Sequence, residues 1–214
     1  MIQSPRRRVA ALLAVAAVAA GCAAGSSVTP SPTASPVATD LSAACPTAQP
    51  AALPAGETRT VTMETEKGMI VVKVDGALSP IAAGNFVALA GCGFYDGVVF
   101  HRVVPGFVIQ GGDPDGTGGG GPGYTIQDEP VTATYKRGTL AMARVPGAPN
   151  SQGSQFFIVL DDAAADRGLA QENTYAIFGQ VVEGLDVVDA IAAAADAELP
   201  SDPVAMTKVT VANP

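Results

Sequence analysis

The hydrophobic pattern of this chain begins near Thr58 and consists mostly of short runs. Val61 and Met63 alternate with polar residues, and a turn at Glu66–Gly68 separates them from a second alternating run at 69–74. This arrangement is typical of a β-hairpin. Glycine and proline separate the later runs, which favours a mainly β fold. Further strands are predicted at 98–102, 107–110, 138–143, 155–160, 176–182 and 204–211.

Two helices interrupt the predicted strands. Ser79-Pro80 predicts a helix start, because serine is a good N-cap and proline fits the first helical position. That helix should end at Gly91 or Gly93, and a second run at 185–194 repeats apolar residues at helical spacing. Many short strands with two helices favour a closed barrel with helical plugs, since closure removes exposed strand edges. The spacing alone fits a sandwich with helical insertions equally well.

Residues 1–21 are predicted to be a signal peptide. Three arginines at 6–8 precede an apolar run from Val9 to Ala20, which is too short to span a bilayer but fits a signal-peptide core. The small residues before Cys22 resemble a bacterial lipobox, in which the cysteine is lipidated and becomes the mature N-terminus. We therefore expect a lipoprotein anchored to the outer face of the cell membrane, with a freely secreted product as the alternative.

Residues 22–56 are rich in alanine, serine, threonine and proline, with almost no large apolar side chain. Such a segment buries too little apolar surface to offset the loss of chain entropy on ordering. The sequence therefore predicts a lipid-anchored, disordered tether at 22–56, followed by a folded domain at 57–214.

The composition excludes several classes of partner and chemistry. The net charge is -8, and the arginines at 6–8 lie in the predicted signal, so the exported chain is more acidic still. Nucleic-acid affinity depends on lysine and arginine neutralising phosphates, so no nucleic-acid partner is expected. His101 is the single histidine, and the three cysteines form no C-x-x-C pair, which argues against a zinc site or a redox motif. No metal and no cofactor are expected.

Several segments, in order along 58–211, resemble the cyclophilin family of peptidyl-prolyl cis-trans isomerases. The resemblance implies a closed eight-stranded antiparallel β-barrel capped by two α-helices. It also implies an enzyme that accelerates rotation about X-Pro bonds in exported proteins and so assists their folding. A chaperone or scaffold module that binds proline-containing segments with little turnover is the alternative. The matching segments are Phe94–Gly97, Phe100–Asp113, Gly116–Gly118, Gly120–Tyr124, Ser154–Ile158 and Phe178–Val181.

The chemistry of X-Pro rotation explains which residue types such a site needs. Amide resonance sets a barrier of roughly 18–20 kcal/mol, and lowering it requires no nucleophile, base or metal. A fixed guanidinium can donate to the twisted amide, and an apolar socket can hold the proline ring. The resemblance implies catalytic roles for Arg102, Gln110 and Phe107. It implies substrate binding by Val108, Ala143, Arg144, Gln155, Phe157, Leu169 and Tyr175. The expected partners are proline-containing polypeptides, and a monomer is expected.

Two features depart from common patterns. The chain has no tryptophan, and Gly168 stands where the family frequently has one, which predicts weak inhibition by cyclosporin. The glycine-rich run at 116–123 lacks the Gly-Lys-Ser/Thr ending of a phosphate-binding loop, so nucleotide binding is not expected.

The cysteines leave one structural question open. If Cys22 is lipidated, Cys45 and Cys92 are the remaining thiols, in a compartment that permits oxidation. One hypothesis is a disulfide that holds the end of the tether against the domain. The alternative is that Cys92 is a small buried apolar residue and Cys45 is free.

Overall fold

The predicted β-rich domain is present in the structure, a computed structural model that describes residues 44–212. Within that range the chain forms eight strands and four helices. In chain order they are β1 (Thr58–Thr65), β2 (Gly68–Asp75), α1 (Pro80–Gly91), β3 (Arg102–Val104), β4 (Val108–Gly111), β5 (Thr139–Met142), β6 (Phe156–Val159), α2 (Asp162–Arg167), α3 (Leu169–Glu172), β7 (Ile177–Glu183), α4 (Leu185–Ala194) and β8 (Met206–Ala212).

The eight strands form one antiparallel sheet in the order β3-β4-β6-β5-β7-β2-β1-β8. The predicted full closure is wrong, because the ladder is open between β3 and β8. Next to these edges, residues 97–100 and 204–206 are joined by an isolated bridge between Val99 and Ala205 and by three backbone hydrogen bonds of 2.7–2.9 Å. Strand β3 has only three residues, and its Val103 N–H donates to the Glu198 carbonyl (2.8 Å) instead of to β8. The strand predicted at 98–102 is found instead at Arg102–Val104.

The helices agree in part with the prediction. α4 occupies the predicted range, and α1 starts at Pro80 after Ser79. The Ser79 side chain makes no capping hydrogen bond; the Glu129 carboxylate instead accepts from the N–H groups of Ile81 and Ala82, both at 2.8 Å. A carboxylate at this end also complements the helix dipole. The short helices α2 and α3 were not predicted.

Strand β6 shows why the sheet is buried on both faces. Successive side chains of a strand point to opposite faces. Phe156 and Ile158 therefore join the main core, where Phe86 of α1 packs edge-on against Phe156 with ring centroids 5.3 Å apart. Phe157 and Val159 join a second, smaller apolar cluster on the other face. That second face carries the cavity described below.

Residues 44–57, termed the N-terminal strap, lie against the domain. Leu53 is only 6% exposed, and its N–H donates to the Pro80 carbonyl (2.9 Å). The strap passes so close to α1 that a Cβ at Gly84 would overlap the Ala51 carbonyl. The structure at 44–56 therefore differs from the disordered tether predicted there. The segment has little apolar surface, but its backbone hydrogen bonds and close packing offset the entropy that the chain loses on ordering. Cys22 and the rest of the predicted signal and tether lie outside the described residues.

A disulfide joins Cys45 of the strap to Cys92 at the end of α1, across 47 positions of sequence. This is the pairing anticipated by one of the two hypotheses for these cysteines.

None of the helices in residues 44–212 has both the length and the apolar character that crossing a membrane requires.

Replacing both cysteines, Cys45→Ser with Cys92→Ser, should lower the free energy of unfolding by about 2–4 kcal/mol, because the open chain gains entropy when unfolded. Urea unfolding of the oxidised parent and the double variant measures this. Reducing agent should destabilise the parent alone. The prediction would be contradicted if the double variant had the same urea midpoint as the oxidised parent and reducing agent left the parent's midpoint unchanged.

Candidate active site

A cavity of about 410 Å³ opens on the face of the sheet that carries Phe157. Nine of the ten residues proposed for catalysis or substrate binding line it. Gln155 lines an adjacent cavity of about 470 Å³ instead. Gly168, the position where the family frequently has tryptophan, lines the first cavity as well, and two further lining residues, Pro146 and Glu172, were not anticipated. The anticipated lining residues are Arg102, Phe107, Val108, Gln110, Ala143, Arg144, Phe157, Leu169 and Tyr175.

Strand register explains why distant positions meet here. In the β3–β4 pair, Arg102 lies directly opposite Gln110. In the β4–β6 pair, Gln110 lies opposite Phe157. Residues opposite each other on neighbouring strands lie close enough for their side chains to contact. Three neighbouring strands therefore deliver a guanidinium, an amide and an aromatic ring to one place.

A chain of polar contacts holds the guanidinium. Arg102 Nη1 donates to Gln110 Oε1 (3.3 Å), and Gln110 Nε2 donates to Gln155 Oε1 (2.9 Å). Gln155 Nε2 in turn donates to the carbonyls of Gly118 (3.0 Å) and Gly120 (2.9 Å). On its other side, Arg102 Nε donates to the Glu198 carboxylate at 2.8 Å. The orientation of Arg102 is thus set before any substrate binds.

The apolar wall of the cavity is built from buried side chains. Val108, Phe157 and Leu169 are each no more than 5% exposed. The ring of Tyr175 packs edge-on against Phe157, with centroids 5.5 Å apart and an interplanar angle of 82°. Such an arrangement forms a rigid apolar surface on one side of the cavity.

Tyr135 supports this wall and was missed by sequence reasoning. Its hydroxyl donates to the Tyr175 carbonyl (2.9 Å) and accepts from the Tyr175 N–H (3.2 Å). Burial raises the pKa of Tyr135 to about 12, although the hydrogen bond to the Tyr175 backbone acts in the opposite direction. Tyr135 lies in a polar stretch between motifs and 40 residues from its partner, so no sequence signal marks it.

Tyr135→Phe should lower the free energy of unfolding by about 1–3 kcal/mol, because the Tyr175 backbone loses both hydrogen bonds in a buried place. The freed Tyr175 should also bind substrate less well, which raises KM more than it lowers kcat. Chemical unfolding and steady-state kinetics measure the two effects. A variant with the parent's stability and KM would show that the hydroxyl has no such role.

The side chain of Arg144, for which the resemblance implies substrate binding, makes several contacts within the domain. Its Nη2 donates to the Ala148 carbonyl (2.8 Å) and lies 3.2 Å from the Asp128 carboxylate. The side chain is only 11% exposed. These contacts hold the segment 144–153, which forms one wall of both cavities. The neighbouring Ala143 N–H donates to the Gln155 carbonyl (2.9 Å) and so joins that wall to the polar chain.

The glycine-rich loop at 116–123 is organised around the carboxylate of Asp113, which is fully buried. The backbone N–H groups of Asp115, Thr117, Gly118 and Gly120 donate to it at 2.6–3.1 Å. Burial acts to raise the pKa of Asp113, but these hydrogen bonds and the nearby His101 together bring it below the ordinary value of 3.8. The loop amides point at the chain's own carboxylate, which agrees with the expectation that the loop is no phosphate cradle.

His101 lies under the same loop and is 4% exposed. Within residues 44–212, neither ring nitrogen has a hydrogen-bond partner. Burial lowers the pKa of His101, Arg102 lowers it further, and Asp113 opposes both. The ring is therefore a neutral packing group at neutral pH. No group of three or more His, Cys, Asp or Glu side chains in the described part of the chain is arranged to hold a metal ion.

Gly168 lies at the rim of the cavity, between α2 and α3. A Cβ at this position would lie 3.0 Å from Cε2 and Cζ of the Phe107 ring. A larger side chain here, including the tryptophan common at this position in the family, requires Phe107 to move. The expected weak inhibition by cyclosporin stays a prediction.

Comparison with known proteins agrees with this arrangement. The sequence model of the family described as cyclophilin type peptidyl-prolyl cis-trans isomerase/CLD matches residues 60–211. Peptidyl-prolyl cis-trans isomerase A of Mycobacterium tuberculosis is 40% identical over 175 residues, covering 72% of this chain and 92% of that protein. Peptidyl-prolyl cis-trans isomerase B of Bacillus subtilis is 46% identical over 120 residues, covering 53% and 79%.

A solved structure is also similar. The crystal structure of a Cryptosporidium parvum cyclophilin type peptidyl-prolyl cis-trans isomerase matches with a TM-score of 0.65 and 32% identity, covering 73% of this chain and 99% of that one. A structure of the same protein in the presence of the dipeptide Ala-Pro matches with a TM-score of 0.65 and 31% identity, covering 72% and 99%.

This chain therefore belongs to the cyclophilin-type peptidyl-prolyl cis-trans isomerases. It is an enzyme of that class, and its eight antiparallel strands with a few helices are those of the cyclophilin fold.

Proposed function

We propose that this isomerase acts on proline-containing polypeptides outside the cytoplasm, with the proline ring in the cavity lined by Phe107, Phe157 and Leu169. The observation that carries the proposal is the pre-oriented Arg102 guanidinium at the edge of that apolar cavity. The C. parvum relative was solved in the presence of Ala-Pro, which supports a proline-containing substrate.

In the proposed mechanism, the protein stabilises the twisted amide more than either planar isomer. As the X-Pro bond rotates, resonance is lost and the prolyl nitrogen gains basicity. Arg102 donates a hydrogen bond to that nitrogen or to the neighbouring carbonyl, and it stays charged throughout. Gln110 and Gln155 keep the donor in place, and they also offer amide groups to the peptide backbone. This is differential binding of the transition state without a covalent intermediate.

The cavity walls have a complementary role. A proline ring held between Phe107, Phe157 and Leu169 cannot turn freely, so rotation is confined to the residues that precede it. Burial in an apolar cavity also removes water from the amide, and water hydrogen bonds stabilise the planar form. The adjacent cavity lined by Gln155 is open to residues on the N-terminal side of the proline.

An isomerisation assay with a proline-containing peptide tests the activity, using the chain from Ala23 to Pro214. A catalysed exchange that saturates with peptide supports the proposal. Saturable binding of the peptide without faster exchange would instead support the alternative, a module that holds proline-containing segments with little turnover.

The location is a separate part of the proposal. We infer that residues 1–21 direct export and that Cys22 carries the lipid, which places a monomeric domain at the outer face of the membrane. The arginines at 6–8, the apolar run and the small residues before Cys22 support this inference. Incorporation of labelled fatty acid into the full chain, with Cys22→Ala as the control, tests it. Protein released into the medium without the fatty-acid label would support secretion instead.

A further inference from the structure

Glu198 lies 96 positions after Arg102 in the sequence and contacts it directly. Its Oε1 accepts from Arg102 Nε at 2.8 Å, on the edge of the guanidinium away from Gln110. Gln110 holds Nη1 at 3.3 Å. Nη2 makes no hydrogen bond with any residue in 44–212 and stays available to a substrate. Two acceptors thus define the plane of the guanidinium, and the Nη2 amino group is left over together with the second N–H of Nη1.

The segment that delivers Glu198 is itself anchored. The Glu198 carbonyl accepts from the N–H of Val103, the residue next to Arg102 in β3. Two positions earlier, the Asp196 carboxylate accepts from Ser201 N (3.0 Å) and Ser201 Oγ (2.6 Å), which closes the turn at 196–201. The carboxylate is therefore presented by a fixed loop that runs alongside the catalytic strand.

The exposure of the pair indicates what it does. The side chains of Arg102 and Glu198 are 35% and 59% exposed. Ion pairs this exposed contribute little to the stability of a fold, because water screens the charges and both side chains lose rotational freedom. The pair does restrict Arg102, whose long side chain otherwise has many rotamers to lose when substrate binds. A donor ordered in advance stabilises a transition state without that loss.

We propose that Glu198 is a positioning residue for catalysis: it fixes the Nε edge of Arg102 so that the remaining donors face the rotating amide. This proposal rests on the proposed function of Arg102. It predicts an effect on turnover with little effect on substrate affinity or folding, because Glu198 is not among the residues that line the cavity.

The test compares three variants of the chain from Ala23 to Pro214 by steady-state isomerisation kinetics. Glu198→Ala should lower kcat by about tenfold and leave KM within about twofold, because only the orientation of the donor changes. Glu198→Gln keeps an oxygen that can accept from Nε and should retain at least about half of the parent kcat. Asp202→Ala is the matched control, since it removes an exposed acidic side chain from the same loop without touching Arg102.

A spectroscopic readout separates positioning from a purely structural role. In the parent, the Arg102 Nε–H signal in a ¹⁵N NMR spectrum, assigned by its loss in Arg102→Lys, should be protected from exchange with water. Glu198→Ala should lose that protection, whereas Glu198→Gln and Asp202→Ala should keep it. The thermal unfolding midpoints of the parent, Glu198→Ala, Glu198→Gln and Asp202→Ala should agree.

Three outcomes would overturn the proposal. A Glu198→Ala variant with kcat within twofold of the parent would make the contact a simple surface ion pair. Increased kcat in both Glu198 variants would mean that the carboxylate weakens Arg102 as a donor. A lowered unfolding midpoint in Glu198→Ala would indicate a structural role. If the parent itself shows no turnover, the proposed function fails, whereas the NMR comparison still reports on the contact.

Discussion

Arg102→Ala is expected to lower kcat/KM by about 100-fold or more, which is the usual effect of removing one donor to a transition state. The side chain is partly exposed and its ion pair lies at the surface, so the domain should stay folded. Arg102→Lys should also be a poor enzyme, because an ammonium lacks the planar arrangement of donors that Gln110 and Glu198 hold. Isomerisation kinetics and a far-UV melting curve measure activity and folding separately.

Arg59→Ala is a suitable control for that experiment. Arg59 is another partly buried arginine, paired with Glu57 at 2.7 Å, and it does not line the cavity. Its removal should leave kcat/KM near the parent value. The role assigned to Arg102 would be rejected if Arg102→Ala retained activity within twofold of the parent, or if both variants lost activity equally.

Asp113→Ala should have the largest effect on stability, lowering the free energy of unfolding by about 3–5 kcal/mol. Four backbone N–H groups lose the same charged acceptor together, and each hydrogen bond to a charged group contributes about 1.5–3 kcal/mol before the loop relaxes. The loop at 116–123 carries the carbonyls that hold Gln155. Loosening it should therefore reduce activity as well. Asp115→Ala, which removes an exposed neighbouring carboxylate, should change the urea midpoint little.

The same carboxylate makes the stability depend on pH. The pKa of Asp113 is lower in the folded protein than its ordinary value of 3.8, so the folded state favours the charged form. Its contribution is complete above that ordinary value and is lost as the pH falls through the folded pKa. The difference in stability between the parent and Asp113→Ala should therefore shrink between pH 7 and pH 3. An equal difference at both pH values would contradict this account.

Much of the site could be predicted because it lies in contiguous motifs. Arg102, Phe107 and Gln110 fall within one segment of family resemblance, and the alternation in β6 separates Phe157 from the core residue Phe156. Local patterns were also sufficient for the first hairpin and for α4, since turn residues and helical spacing are properties of neighbouring positions.

Several contacts that prediction missed join distant parts of the chain. Glu129 caps α1 from 48 and 47 positions away, Tyr135 holds Tyr175 across 40, and Glu198 holds Arg102 across 96. Each residue lies in a polar stretch, where an exposed side chain and a structural partner have the same local pattern. The tertiary fold alone distinguishes them.

The disulfide also determines how the domain responds to mechanical load. A pull on the chain ahead of Cys45 enters the domain through Cys92, so it bypasses the rest of the strap and β1. The segment 46–91, which contains β1, β2 and α1, lies inside the closed loop, so the load does not pull along it and does not unzip β1 from β2 and β8. In the oxidised state the cavity that contains Arg102 should stay intact at forces that unfold the reduced protein. Single-molecule pulling from the N-terminal end, with and without reductant, would measure the difference as a shift in unfolding force.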